Sequence, residues 1–127
     1  MKALVVDDSR SMRSIIGKQL RELGIEVVDA ASGLEALDAL RLQSPFDLML
    51  VDWNMPHMDG FELLRKVRAD QAHEDLPIMM VTTESEMSQV AIALEGGANE
   101  YLMKPFDRHA LLEKLLLLGI EPESRAA

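Results

Sequence analysis

Cysteine is absent from the 127 residues. That excludes a disulfide framework and a thiolate-ligated metal, and it fits a reducing cytoplasm. Aromatic residues are scarce, with one Trp, one Tyr and three Phe, so the core must be built from aliphatic side chains and methionine. No stretch approaches the roughly 20 apolar residues that a membrane helix requires. The opening Met1-Lys2-Ala3-Leu4-Val5-Val6 is too short an apolar run for a secretory signal. No membrane association is therefore expected, and a cytoplasmic location is. Cations are also in short supply: 13 Lys and Arg face 22 Asp and Glu, a net charge of −9. Nucleic-acid binding neutralises phosphates with Lys and Arg, so no nucleic-acid partner is expected. Most of the surplus acid reads as solvated helix face, which favours solubility. No Gly-rich loop follows the first apolar segment, so neither a dinucleotide fingerprint nor a P-loop is present.

What is there is an alternation. Apolar runs of strand length exchange with segments of helical period, five times over. The first strand, ending Leu4-Val5-Val6, leads into a helix from about Ser9 to Leu23. Met12, Ile15, Ile16, Leu20 and Leu23 share one predicted face, and Gly24 stops it. A strand over 25–30 follows, then a helix after Ser32-Gly33 carrying Leu37 and Leu40 and broken at Ser44-Pro45. Asp47 to Val51 is almost wholly apolar, as a central strand covered on both faces must be. Gly60 opens a helix with Phe61, Leu64 and Val67 inward, and Pro77 precedes a fourth strand over Ile78 to Val81. A fourth helix is expected over Glu86 to Glu95, stopped by Gly96-Gly97, and a fifth strand over Asn99 to Met103. The last helix, Asp107 to Leu118, is predicted to turn Leu111, Leu112, Leu115 and Leu116 inward and to end at Gly119. One domain over 1–120 with a tail over 121–127 is expected. Such alternation implies a parallel sheet with right-handed crossovers and helices on both faces. It does not fix the strand order.

The chemistry-bearing residues fall at strand ends: Asp7 and Asp8 after the first, Asp52 after the third, Thr82 after the fourth and Lys104 after the fifth. All carboxyl-terminal strand ends of a parallel sheet open onto one edge, where such folds place their sites. For the Asp7-Asp8 pair the ordinary alternative is helix capping, by Asp8 or by Ser9. Asp52 changes the balance, because like charges at ~4 Å in an effective dielectric near 20 repel by on the order of 4 kcal/mol. A hard divalent cation such as Mg²⁺ takes one or two carboxylates and keeps several waters. It would relieve that repulsion and hold a phosphoryl donor against Asp52 as nucleophile. Lys104, backed by Pro105, is placed to pair with Asp52 or with a phosphoryl oxygen, although a snorkelling surface Lys is common at strand ends. Thr82 offers a hydroxyl but is ordinary in a strand. His57, His73 and His109 lack metal-ligand spacing and read as surface residues. Met49, Met79, Met80 and Met103 belong to strands and read as core fillers; Met55, Met58 and Met87 lie in loops or at helix starts, where packing or partner contact are both open.

Asp7-Asp8, Asp52, Thr82 and Lys104-Pro105, with Asn54-Met55-Pro56-His57-Met58-Asp59-Gly60 between them, resemble the receiver domain of two-component response regulators. Within that family the chain is most similar to stand-alone chemotaxis regulators of the CheY type. The resemblance covers residues 2 to about 118. It implies a flavodoxin-like (βα)5 doubly wound sheet with strand order 2-1-3-4-5. It further implies that Asp52 accepts a phosphoryl group from a sensor histidine kinase, with Mg²⁺ (or Mn²⁺) held by Asp8, Asp52 and the Asn54 carbonyl, and by Asp7 partly through water. Thr82 and Lys104 would bind the phosphoryl oxygens, Tyr101 would be the switch aromatic, and the Lys104-Pro105 bond is often cis in relatives. Asn54 and Glu84 stand at the positions that tune dephosphorylation. Thr83 departs from the usual Ala or Gly, and its bulk could slow access to the pocket. The implied partners are the kinase, an output protein such as a flagellar motor switch component and a phosphatase. The implied state is a monomer or a weak phosphorylation-dependent dimer. Self-phosphorylation from phosphodonors and autodephosphorylation are the only reactions implied.

Other readings compete. An Asp-nucleophile phosphohydrolase usually carries Asp-x-Asp on its first strand and a cap domain; here the strand ends Asp-Asp, and 127 residues leave no room for a cap. A receiver excised from a longer regulator, or one acting as a phosphate relay or sink, remains open.

Overall fold

The computed structural model describes residues 1–83 and 88–122. The chain order is β1 (Lys2–Val6), α1 (Arg10–Glu22), β2 (Glu26–Ala30), α2 (Gly33–Gln43), β3 (Leu48–Asp52), α3 (Gly60–Arg68), β4 (Ile78–Thr82), α4 (Val90–Glu95), β5 (Glu100–Met103) and α5 (Arg108–Leu117). A short 3-10 turn, Gln71–His73, lies between α3 and β4. The strands form one five-stranded sheet in the order β2-β1-β3-β4-β5. Every pairing is parallel. The alternation of elements and the strand order implied by the resemblance are both observed.

The two-residue period of the strands divides the core in two. Leu4, Val6, Met49, Val51, Ile78 and Met80 face one side, where Leu40 of α2 and Leu63, Leu64 and Val67 of α3 cover them. Val5, Leu48, Leu50, Met79 and Val81 face the other, under Ile16 and Leu20 of α1 and Leu111 and Leu115 of α5. Full burial of an aliphatic side chain of this size contributes about 1.5–3 kcal/mol. The side chains of β1, β3 and β4 therefore lock the sheet between its helix layers. Four helices begin at a side-chain cap: Ser9, Ser32, Asp59 and Asp107 accept from the amides of Met12, Glu35, Glu62 and Ala110. Each cap satisfies one of the orphan amides of a first turn.

Several expectations are corrected. Ile15 is 50% exposed, because 3.6 residues per turn place it beside the Met12–Ile16–Leu20 stripe rather than on it. Leu116 is 53% exposed, and only Leu111 and Leu115 are buried on α5, with Leu112 half-buried. Met103 is exposed rather than in the core, because β5 is an edge strand. His73 is half-buried, unlike His57 and His109. The described part of α4 begins at Val90, and Glu86 and Met87 lie outside the described residues. Met55 is buried in the core, so the packing reading holds for it.

Candidate functional site

The register of the sheet assembles the site. Val6 pairs with Val51, so Asp7 and Asp52 stand side by side one step further on. Asp52 pairs with Val81, which sets Thr82 next to it across β3 and β4, and Thr82 pairs with Met103, which precedes Lys104. Four strand ends thus deliver a polar residue to the same edge. Asp7, Asp52 and Thr82 are all buried there, while Asp8 is exposed.

Ser9, not Asp8, caps α1: its hydroxyl accepts from the Met12 amide at 3.2 Å. The Asp7 carboxylate accepts from the Ser9 amide at 2.8 Å through Oδ1. Asp8 is therefore left out of capping, and one of the alternatives open from the sequence closes. Carboxylate oxygens of Asp7, Asp8 and Asp52 lie within 4.8 Å of one another. Lys104 Nζ donates to Asp52 Oδ1 at 2.9 Å and lies 3.4 Å from Asp7 Oδ2.

Burial raises the Asp52 pKa from 3.8 to about 6; the Lys104 hydrogen bond opposes this, and the charges of Asp7 and Asp8 reinforce it. For Lys104, burial acts to lower the pKa, but the hydrogen bond and charge of Asp52, joined by Asp7, outweigh it and raise the ammonium above its ordinary value. Three carboxylates against one ammonium leave two negative charges at the sheet edge. An all-oxygen donor set with that surplus fits a hard divalent cation.

The loop after β3 is held close to the sheet. The Gly60 amide donates to the Trp53 carbonyl at 2.8 Å. A Cβ at Gly60 would collide with the Asp52 carbonyl oxygen and lie 2.9 Å from Trp53 Cα. Only glycine lets α3 start this near the strand end. His57 in the same loop has φ of 69°, a left-handed conformation that histidine tolerates better than most side chains. Asn54 is exposed beside Asp52, and Thr83 is half-buried beyond Thr82. The Lys104-Pro105 bond is cis, as the resemblance implied, and Ser44-Pro45 is cis as well. Glu84 lies outside the described residues.

Two features had no signal in the sequence. Arg13 Nη1 donates to the Asp7 carbonyl at 2.8 Å, while its Nε bonds Asp29 of β2 at 3.1 Å. Lys114 of α5 stands 4.1 Å from the ring centroid of Tyr101 and 2.9 Å from Glu100 Oε1, both on β5. The side chains of Ile92 and Leu94 on α4, Met103 on β5, and Leu116 and Leu117 on α5 are exposed. Among the described residues, no helix is long and apolar enough to cross a membrane.

Residues 3–116 match the family model described as "Response regulator receiver domain". The chain is 49% identical over 116 residues to a Chemotaxis protein CheY homolog of Campylobacter jejuni, covering 91% of this chain and 89% of the relative. It is 47% identical over 121 residues to Chemotaxis protein CheY1 of Helicobacter pylori, covering 94% and 98%. The solved structure of Vibrio cholerae chemotaxis protein CheY4 superposes with a TM-score of 0.86 at 38% identity, covering 92% of this chain and 97% of that one. With the acidic edge in place and the sheet order shared, the chain belongs to the response regulator receiver domain family, homologous to the CheY chemotaxis regulators.

Proposed function

We propose that this receiver stores a signal as one phosphoryl group on Asp52, taken from the phosphohistidine of a sensor histidine kinase. The observation that carries this reading is the state of Asp52. Its carboxylate is 5% exposed, has one oxygen tied to Lys104 and sits against two further acids. With Oδ1 held by Lys104, Oδ2 is the nucleophile; its bond to phosphorus forms as the phosphorus–nitrogen bond of the donor breaks. Asp52 must be ionised to attack, and at neutral pH it is, since its pKa is about 6.

Asp8 and Asp52, with the Asn54 carbonyl, would hold Mg²⁺ or Mn²⁺, and Asp7 would contribute partly through water. When bound, the cation neutralises the phosphoryl oxygens and the crowded carboxylates. Lys104 and Thr82 supply further positive charge and a hydroxyl to the transferred group. Such preorganised groups act most strongly in a site closed to water. Asn54 and Glu84 are the residues at which the phosphoryl lifetime would be tuned, and the bulk of Thr83 would slow access to the pocket.

The output follows from what Thr82 and Lys104 must do. Drawing them to new phosphoryl oxygens vacates space that Tyr101 can occupy, and this repacks the α4-β5-α5 face. Inverting a 1:99 equilibrium takes about 5.5 kcal/mol. Hydrogen bonds to charged groups contribute about 1.5–3 kcal/mol each, so two or three made only in the active state suffice. Apolar side chains exposed on α4, β5 and α5 support a docking role for an output protein. Similarity to chemotaxis regulators points to a motor-switch component, with a phosphatase to end the signal. The direct test is labelling with a small phosphodonor in the presence of Mg²⁺. One phosphoryl group per chain, lost in Asp52→Asn, is the expected result. Undiminished labelling of that variant would move the acceptor elsewhere, and repeated turnover of a phosphate ester in excess of protein would favour a hydrolase.

A further inference from the structure

We infer that Arg13 is a positioning residue for the divalent-cation site, acting through the Asp7–Asp8 peptide. This rests on the reading of Asp7, Asp8 and Asp52 as that site. The β1–β2 ladder ends at Val6–Ala30, after which the Asp7 amide makes a last bond to the Ala30 carbonyl. Beyond that point the sheet no longer constrains the chain, yet the next peptide carries Asp8, whose carboxylate must point at Asp52. Arg13 takes over there. Its Nη1 donates to the Asp7 carbonyl at 2.8 Å, and its Nε is anchored 3.1 Å from Asp29 Oδ2 on β2.

The arm is rigid. The Arg13 side chain is 15% exposed, against 58% for Asp29, and its backbone is set by the first turn of α1, where its amide donates to the Ser9 carbonyl. A planar guanidinium with two donors engaged fixes direction in a way that a lysine ammonium does not. The opposite side of the same turn is pinned by the Ser9 amide on the Asp7 carboxylate. The peptide between the two acids is thus held at its carbonyl, within a turn closed by the Asp7 carboxylate, and the aim of Asp8 follows from its orientation.

The sign of one measurement separates this role from plain electrostatics. A cation near an anionic pocket opposes metal binding, so a residue acting only by charge would, when neutralised, leave Mg²⁺ bound more tightly. A residue that orients a ligand does the reverse, and groups that orient metal ligands typically carry 10–100-fold in affinity. Calorimetric titration of Mg²⁺ into the metal-free protein, at a temperature where urea melts show every variant folded, reads the difference. Arg13→Gln is expected to bind Mg²⁺ at least ~10-fold more weakly, and Arg13→Lys, which keeps the charge but loses the fork, is expected to bind more weakly as well. Equal or tighter binding by Arg13→Gln overturns the role. Should that variant fail to fold, Arg13→Lys decides alone: unchanged affinity overturns the role and weakened affinity supports it. A merely structural Arg13 would lower the urea midpoint and leave the affinity of the folded protein where it was. Absence of Mg²⁺ binding to the unaltered protein would overturn the site reading itself, and this proposal with it.

Discussion

Lys114 lies over the face of Tyr101, 4.1 Å from the ring centroid, while its ammonium bonds Glu100 Oε1 at 2.9 Å. The contact joins α5 to β5 at the aromatic residue on which the proposed switch turns. Because Lys114 and Glu100 are both about four-fifths buried, the pair is less screened than an open surface bridge. A double-mutant cycle between Lys114→Gln and Tyr101→Leu is expected to give a coupling of about 0.5–1 kcal/mol in urea unfolding. A coupling of zero would mean that the ring and the ammonium are merely adjacent.

Tyr101→Ala should accept a phosphoryl group at the unaltered rate and yet bind the output partner more weakly. The ring touches neither Asp52 nor Lys104 in any hydrogen bond, so its loss leaves the acceptor chemistry in place. Partner binding that is indifferent to the substitution would remove Tyr101 from the switch.

Asp52 makes the protein less stable as pH rises. Its folded-state pKa is about 6 against 3.8 in the ordinary state, so between those values the folded chain binds more protons than the unfolded one. Stability from this group is therefore full below 3.8 and lost as pH climbs to about 6. The shift corresponds to roughly 3 kcal/mol when complete. In chelator at pH 7, Asp52→Asn is expected to unfold at higher urea than the unaltered protein by up to that amount, and the advantage should shrink away at pH 3.5. An equal gap at both pH values would show that burial of the charge is not its origin.

Divalent cation should reverse the same penalty. Binding to the folded state alone stabilises by about 2.7 kcal/mol at one hundred times Kd, so millimolar Mg²⁺ is expected to raise Tm. Asp8→Asn should keep or slightly raise its chelator-state Tm, since Asp8 is exposed, caps nothing and adds to the repulsion on Asp52, but should lose most of the Mg²⁺ response. The pair of melts with and without Mg²⁺ checks both halves.

Gly60→Ala tests how tightly the loop after β3 is built. The new Cβ meets main-chain atoms of Asp52 and Trp53, which cannot move aside as a flexible side chain would. Overpacking of this kind costs about 1–3 kcal/mol. Slower labelling of Asp52 should accompany the lowered urea midpoint, because the strain falls on the acceptor's own peptide.

Much of this was legible in the residue order. The strand ends read at Val6, Val51, Val81 and Met103, two of them one residue short of the observed Asp52 and Thr82, and the helix stops at Gly24 and Gly119 follow from local periodicity and from backbone preferences that a short window contains. Asp7, Asp52, Thr82 and Lys104 could be gathered because a parallel sheet sends every carboxyl end to one edge. Ile15 and Leu116 were misplaced for an equally local reason: an apolar residue next to a helix stripe is indistinguishable by type from one within it. Ser9 rather than Asp8 as the cap of α1 required the geometry of the turn itself.

By itself, then, the sequence determined the alternation of elements, the apolar faces of the strands and the chemical types brought to the carboxyl edge, since each depends on neighbours a few residues away. Only the tertiary structure decided that Lys104 bonds Asp52 and reaches Asp7, residues 52 and 97 positions apart in the chain. The same holds for Arg13 on the Asp7 carbonyl, Lys114 over Tyr101 and the raised pKa of Asp52. Those properties belong to strand order, register and burial, which the whole core sets at once through packing between segments distant in sequence.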